Sequence, residues 1–133
     1  MKVISIKQPF ATLIAEGLKE YEFRTWKTKY RGEIYIHASL SENKEAMEKY
    51  KDLNLNYPKG CIIAKAKIND CIEINNEFKE ILKIKNVYPY IYNHILNNDE
   101  NKYAFHMTNV EKIKHIPIKG KLGIWNLDSK DKL

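Results

Sequence analysis

Alternation of apolar and polar residues constrains the fold of this chain more than any other feature. Apolar side chains recur at every second position in residues 21–23, 34–38, 64–68 and 103–107, and residues 3–6 form a further short apolar run. A period of two places successive side chains on opposite faces of an extended strand. The sequence therefore predicts five or six β-strands, most of them with one buried and one polar face.

Helical signals lie between these strands. Pro9 stands in a predicted first turn, where proline is tolerated, and Gly17 is the expected C-cap of that helix. A polar helix is predicted over residues 41–51, with its first residue, a serine, as N-cap, and two short helices near 77–84 and 89–97. Strands interspersed with helices indicate an α+β domain around a small, partly closed β-barrel, with the strand order left open.

Length and composition agree with one folded domain. The chain has 133 residues, of which 44% are hydrophobic, including 9 Tyr, 4 Phe and 2 Trp, enough for a core. No linker divides it, so we expect a single domain over residues 1–127 and a short polar tail over 128–133. The formal charge of +6 is compatible with nucleic-acid binding. Only Arg24 and Arg31 are arginines, however, and the richness in Lys, Asn, Ile and Tyr is equally compatible with an AT-rich genome.

Several other classes of function receive no support from the sequence. Cys61 and Cys71 lie at the two ends of one predicted strand, so we expect reduced thiols rather than a disulfide. The histidines show no spacing that builds a metal site, and no glycine-rich phosphate loop is present. We therefore expect no metal and no cofactor. The first residues lack a signal core and no run reaches membrane-spanning length, which predicts a cytoplasmic protein without a membrane segment.

Several motifs identify a family. Residues 5–11 read SIKQPFA, and residues 17–24 read GLKEYEFR, which matches G-x-K-x-x-E-x-R in full. Trp26, YRG at 30–32, IHA at 36–38, YPKGC at 57–61 and PIKGKLGIW at 117–125 follow in order. Together they resemble the ASCH (activating signal cointegrator homology) domain of the PUA-like superfamily, particularly the cointegrator's own branch. The resemblance covers nearly the whole chain and implies a small β-barrel flanked by helices, with a cleft lined by the G-x-K-x-x-E-x-R segment.

The charged residues of that motif predict a polar binding site. Glu22 and Arg24 lie two apart on one strand and share a face, and Lys19 reaches the same face from the preceding turn. One acceptor and two cationic donors suit a nucleobase edge together with a phosphate. The alternative is a structural salt-bridge triad that fixes the helix-to-strand turn.

Neighbouring residues extend the predicted site. Trp26 could stack a splayed base, although a half-buried core position explains it equally. Lys27, Lys29 and Arg31 on the following loop are predicted to form a basic rim along a bound strand, and a solvated loop is the alternative. Phosphate or base contacts are predicted for Lys7 and Gln8 at the start of the first helix. The predicted ligand-binding residues are Lys7, Gln8, Lys19, Glu22, Arg24, Trp26, Lys27, Lys29 and Arg31.

Enzymatic readings remain open beside binding. The resemblance implies two possible activities. The first is hydrolysis of acetylated cytidine by an amidohydrolase, in which the working lysine corresponds to Lys19 and a threonine nucleophile stands where this chain has Glu22. The second is ribonuclease activity. A carboxylate cannot replace a hydroxyl nucleophile without a different mechanism, whereas a metal-independent nuclease could use Glu22, Lys19 and Arg24. Lys19 and Glu22 are thus the catalytic candidates. We predict a module that binds RNA, single-stranded nucleic acid or a modified nucleoside, with a protein-interaction domain as a third reading.

Overall fold

The computed structural model describes residues 1–97 and 100–128. In chain order the elements are β1 (Lys2–Gln8), α1 (Phe10–Ala15), β2 (Tyr21–Arg24), β3 (Gly32–Glu42), α2 (Lys44–Lys49), β4 (Cys61–Glu73), α3 (Asn76–Lys85), α4 (Asn93–Asn97), β5 (Tyr103–Pro117) and β6 (Ile124–Asn126). A turn of 3-10 helix, Lys51–Leu53, follows α2. The predicted C-terminal tail lies outside the described residues except for Asp128.

The six strands form one mixed sheet in the order β2-β5-β4-β3-β1-β6. Only the β1–β3 pair is parallel among the pairs of the described residues. The predicted α+β architecture is confirmed, but the sheet is open, because within residues 1–97 and 100–128 the end strands β2 and β6 do not pair. These end strands have 4 and 3 residues, too few to continue the ladder around the far side of the sheet.

Two apolar clusters surround the segment between α1 and β2. The cluster inside the curved sheet contains Ile4, Ile36 and Phe105, all fully buried. The other cluster packs Tyr21 and Phe23 of β2 against α3 and α4. The first cluster receives Ile14 from α1 and the second receives Leu13, and burying one such side chain stabilises the fold by about 1.5–3 kcal/mol. Helix α1 is therefore fixed on both sides.

The end of α1 sets the direction of the chain into β2. Gly17 has a φ of 77°, the left-handed conformation that glycine adopts without strain. The amide nitrogens of Leu18 and Lys19 both donate to the carbonyl oxygen of Leu13, at 2.9 and 3.1 Å. The C-cap is Glu16, one residue before the predicted Gly17, which is the left-handed residue that follows the cap. This turn brings Lys19 to the start of β2.

The helix predicted over residues 41–51 begins later than its sequence pattern indicated, as does the one predicted over 89–97, which begins at Asn93. β3 continues to Glu42, because Glu42 still pairs with Gln8 of β1. Helix α2 begins only at Lys44, and Asn43, not Ser41, is its N-cap: the Asn43 side-chain oxygen accepts from the Ala46 nitrogen at 3.0 Å. The strand ladder thus overrides the capping signal of the serine. None of the helices in the described ranges combines the length and apolar character needed to cross a membrane.

Candidate functional site

A cleft of about 430 Å³ opens between β1, β2, α1 and the loop that precedes β6. This volume lies in the range of small-ligand pockets in proteins. Four residues predicted from the sequence lie in it, and these are Lys7, Lys19, Glu22 and Arg24. The G-x-K-x-x-E-x-R segment therefore lines a cleft through all three of its charged residues.

Lys19 is held at the floor of the cleft, with only 2% of its surface exposed. Its ammonium donates to the carbonyl oxygen of Tyr21 and lies 3.5 Å from Oε1 of Glu22. It also lies 4.4 Å from the ring centre of Phe23, a cation–π contact. An ammonium group removed from water needs such partners, because burying an unpaired charge is costly. The positive charge is consequently fixed in position.

Glu22 joins the two cations of the motif. Its Oε2 accepts from Nε of Arg24 at 3.0 Å and lies 2.9 Å from Nη2, while its other oxygen faces Lys19. Glu22 is nearly buried, and the Arg24 side chain remains 18% exposed. The salt-bridge triad that the sequence offered as an alternative is thus present, and its three side chains also line the cleft.

The lining of the cleft carries an excess of positive charge. Its described lining contains the cations Lys7, Lys19 and Arg24 but the single carboxylate of Glu22. Low-dielectric walls concentrate the field of such a group, so the cleft favours an anionic ligand.

Further polar residues line the cleft, and sequence reasoning did not identify them. They are Ser39, Ser41, Asn43, His94 and Asn101. Ser39 and Ser41 stand two apart on β3, a polar alternation that could have indicated a shared face. His94 had no such signal: its ring lies 5.9 Å from that of Phe10, a contact between α4 and α1 that only the tertiary structure creates.

Gln8 was predicted as a ligand-binding residue, but it does not line the cleft. Its side chain is fully buried. The amide nitrogen donates to Oγ1 of Thr12 at 2.8 Å and to the carbonyl oxygen of Pro58 at 2.7 Å, and its oxygen accepts from the Thr12 nitrogen at 3.0 Å. With both ends of the amide bonded inside the chain, Gln8 ties the first turn of α1 to the loop before β4 and does not line the cleft.

Trp26 lies beside the cleft rather than in its lining. Its ring meets that of Phe105 edge-on at 5.2 Å, and 37% of the residue is exposed. The guanidinium carbon of Arg24 is 5.7 Å from its ring centre. Trp26 is therefore both a packing residue and a partly open aromatic surface next to the triad.

The predicted basic rim lies on the loop between β2 and β3, outside the cleft lining. Lys27 and Lys29 are exposed there. Arg31 donates to the carbonyl oxygens of Thr28 and Tyr30, and its Nη2 lies 3.7 Å from Asp70. Arg31 thus contacts its own loop and Asp70, through solvent-exposed groups, and does not line the cleft.

A second ion-paired cluster fixes the turn from behind. The Glu20 carboxylate accepts hydrogen bonds from Nε2 of His106 at 2.9 Å and pairs with Nζ of Lys85 at 3.0 Å. Partial burial alone would raise the pKa of Glu20, but the bonds from His106 and Lys85 outweigh it and hold the pKa below its ordinary value of 4.5. Among the described residues no group of three or more His, Cys, Asp or Glu is arranged to hold a metal ion.

Comparison with known proteins places this geometry in context. The family model of the ASCH domain matches residues 4–117. Activating signal cointegrator 1 of Homo sapiens is 32% identical over 140 residues, and that of Mus musculus 31%; each match covers 96% of this chain but only 22% of the relative. The crystal structure of ASCH from Zymomonas mobilis matches 98% of this chain and 89% of that one, with a TM-score of 0.63 at 17% identity, a likeness of fold.

Proposed function

This chain belongs to the ASCH domain family, and on that premise we propose that its cleft binds RNA or a nucleotide-like ligand. ASCH domains are generally RNA-binding modules with a PUA-like fold. The observation that carries the proposal is the buried Lys19–Glu22–Arg24 triad, which places two cations around one carboxylate at the floor of a ligand-sized cleft.

Different residues of the cleft lining suit different parts of a nucleotide. Arg24 and Lys7 offer charged donors to a phosphate, and a phosphate contact does not depend on which base the nucleotide carries. Other lining residues, among them Ser41 and Asn43, offer hydroxyl and amide groups to a base edge or a ribose hydroxyl. Trp26 provides a partly open ring for a base that leaves the cleft.

Catalysis is the second candidate, because a buried ammonium and a carboxylate stand 3.5 Å apart at Lys19 and Glu22. Both oxygens of Glu22 already face cations of the chain, which suits a positioning role better than that of a free base. If turnover exists, Glu22→Gln should abolish it while binding largely persists.

Fluorescence-polarisation titration of a short single-stranded RNA pool at two salt concentrations tests the proposal, with the RNA run on a gel afterwards. Arg24→Gln is the informative variant, and Arg31→Gln is a matched control because these are the two arginines of the chain. We expect affinity to fall about tenfold or more in the first and little in the second. Equal effects would contradict the proposal, and cleaved RNA would favour the enzymatic candidate.

A further inference from the structure

A second cavity, of about 640 Å³, adjoins the cleft on the other side of the loop between β5 and β6. Leu122 of that loop borders both spaces. The walls of the second cavity include Leu40, Ile118 and the buried His37. It is larger than the cleft, and the motif that lines the cleft contributes no residue to it.

Two leucines at this cavity are exposed to water. Leu40 is 77% exposed and Leu122 is 97% exposed. Scattered apolar side chains are ordinary on a protein surface, but two large ones bordering a single concave space form a place where an apolar group can be buried.

The charges at the cavity have one sign. Lys119 and Lys121 line it, and its described lining contains no carboxylate. The ion pairs formed among the described residues include neither lysine, whereas Lys59 nearby is paired with Glu42 at 3.0 Å. Two cations without a carboxylate complement an acidic partner.

His37 and Gly120 meet at one wall of the cavity. Nε2 of His37 donates to the carbonyl oxygen of Ile118 at 2.7 Å, and its Nδ1 has no hydrogen-bond partner among the described residues. Gly120 lies directly against the imidazole, since a Cβ at this position would come within 2.5 Å of the ring. The loop therefore rests on the buried histidine at Gly120, and this contact supports one wall of the cavity.

We propose that this second cavity binds an acidic peptide segment of a partner protein. One large apolar side chain of the peptide enters between Leu40 and Leu122, and its carboxylates pair with Lys119 and Lys121. A peptide fits better than a nucleic acid, because the only aromatic ring in the described lining is that of His37, which Gly120 covers, so a base finds no stacking surface. This site does not depend on RNA binding in the cleft.

The test is an array of fluorescein-labelled peptides that have glutamates on both sides of one variable central residue. We expect saturable binding when the centre is leucine, isoleucine, phenylalanine or methionine, and little binding when it is serine or when the flanks are lysines. The double variant Leu40→Ser/Leu122→Ser should weaken binding of the leucine peptide about tenfold or more. Lys119→Glu/Lys121→Glu should weaken it as well, and more strongly at low salt.

Lys114→Glu/Lys67→Glu is the matched charge control, because both lysines are exposed on the sheet and neither lines the cavity. It should leave peptide affinity nearly unchanged. Thermal melts establish that each variant is folded, and amide shifts of residues 118–123 in labelled wild-type protein map the peptide without any substitution. Binding that ignores the central residue, or shifts elsewhere, would overturn the proposal. The proposal would also be overturned if Lys119→Glu/Lys121→Glu lost RNA binding but retained peptide binding.

Discussion

Nη2 of Arg24 donates to the backbone carbonyl oxygen of Ser5 at 2.6 Å, and this bond joins two strands that are not neighbours in the sheet. Arg24 ends β2 at one edge, and Ser5 lies in β1 beside the opposite edge strand. A side chain therefore bridges the opening of a sheet whose backbone ladder is not closed. The same guanidinium pairs with Glu22 in the cleft, so it connects the architecture with the site.

Replacing Arg24 by lysine tests whether the charge of the side chain or the geometry of its hydrogen bonds stabilises the fold. A lysine retains the positive charge but cannot reproduce the fork of donors to Glu22 and Ser5. We expect the free energy of unfolding, measured by urea denaturation, to fall by about 1–2 kcal/mol. Arg31→Lys, on an exposed loop, should change it little; equal stability of the two variants would disprove the bridging role.

Lys19→Met should leave the protein folded and weaken its affinity for RNA. The methionine can still pack against Phe10 and Phe23, and Glu22 keeps Arg24 as its partner. We expect a loss of about 1–3 kcal/mol in the free energy of unfolding, together with a loss of RNA affinity of about tenfold or more in the polarisation assay. Unchanged affinity in the folded variant would show that the cleft is not the binding site.

Trp26 and the lysines after it should affect binding in different ways. Trp26→Ala removes a partly open ring and should reduce discrimination between base compositions in a set of labelled RNAs. Lys27→Ala and Lys29→Ala should weaken all sequences about equally and lower the salt dependence of affinity, if the exposed loop contacts the phosphate backbone. Selectivity that survives Trp26→Ala would assign the ring to packing on Phe105 alone.

Gln8→Leu should lower stability without a specific effect on ligand binding. The substitution leaves the Thr12 nitrogen and the Pro58 carbonyl oxygen without their buried partner. We expect a cost of about 1–3 kcal/mol in the free energy of unfolding, measured by urea denaturation. RNA affinity of the folded variant should match wild type, and a large selective loss of affinity would restore Gln8 to the site.

Glu20 should make stability depend on acidity. Its pKa is lower in the folded chain than its ordinary value of 4.5, because the bonds from His106 and Lys85 outweigh burial. The unfolded chain therefore takes up the proton first, so the contribution of Glu20 is present above about pH 4.5 and is lost as the pH falls through the lower folded value. Thermal melts at pH 7 and pH 3 should show Glu20→Gln less stable than wild type at pH 7, and by a smaller margin at pH 3. An equal difference at both pH values would contradict this.

The strands, the end of α1 and the family could all be predicted from the order of the amino acids. Tyr21 and Phe23 are buried as their period of two indicates, and Gly17 ends α1 because its backbone must turn left-handed there. Such features depend on residues close together in the chain, whose side-chain directions follow from local backbone geometry. For the same reason the spacing of Lys19, Glu22 and Arg24 correctly predicted that their side chains lie close together.

Which distant residues come into contact became clear only from the folded chain. His94 and Asn101 reach the cleft from segments that no local pattern connects with Lys19, and Gln8 is buried because Pro58, 50 residues away, supplies a carbonyl oxygen. The openness of the sheet likewise depends on how far β2 and β6 extend around it. A periodic pattern specifies the face on which a side chain lies but not the strand or helix that packs against it, since that choice is made by the long-range packing of the whole chain.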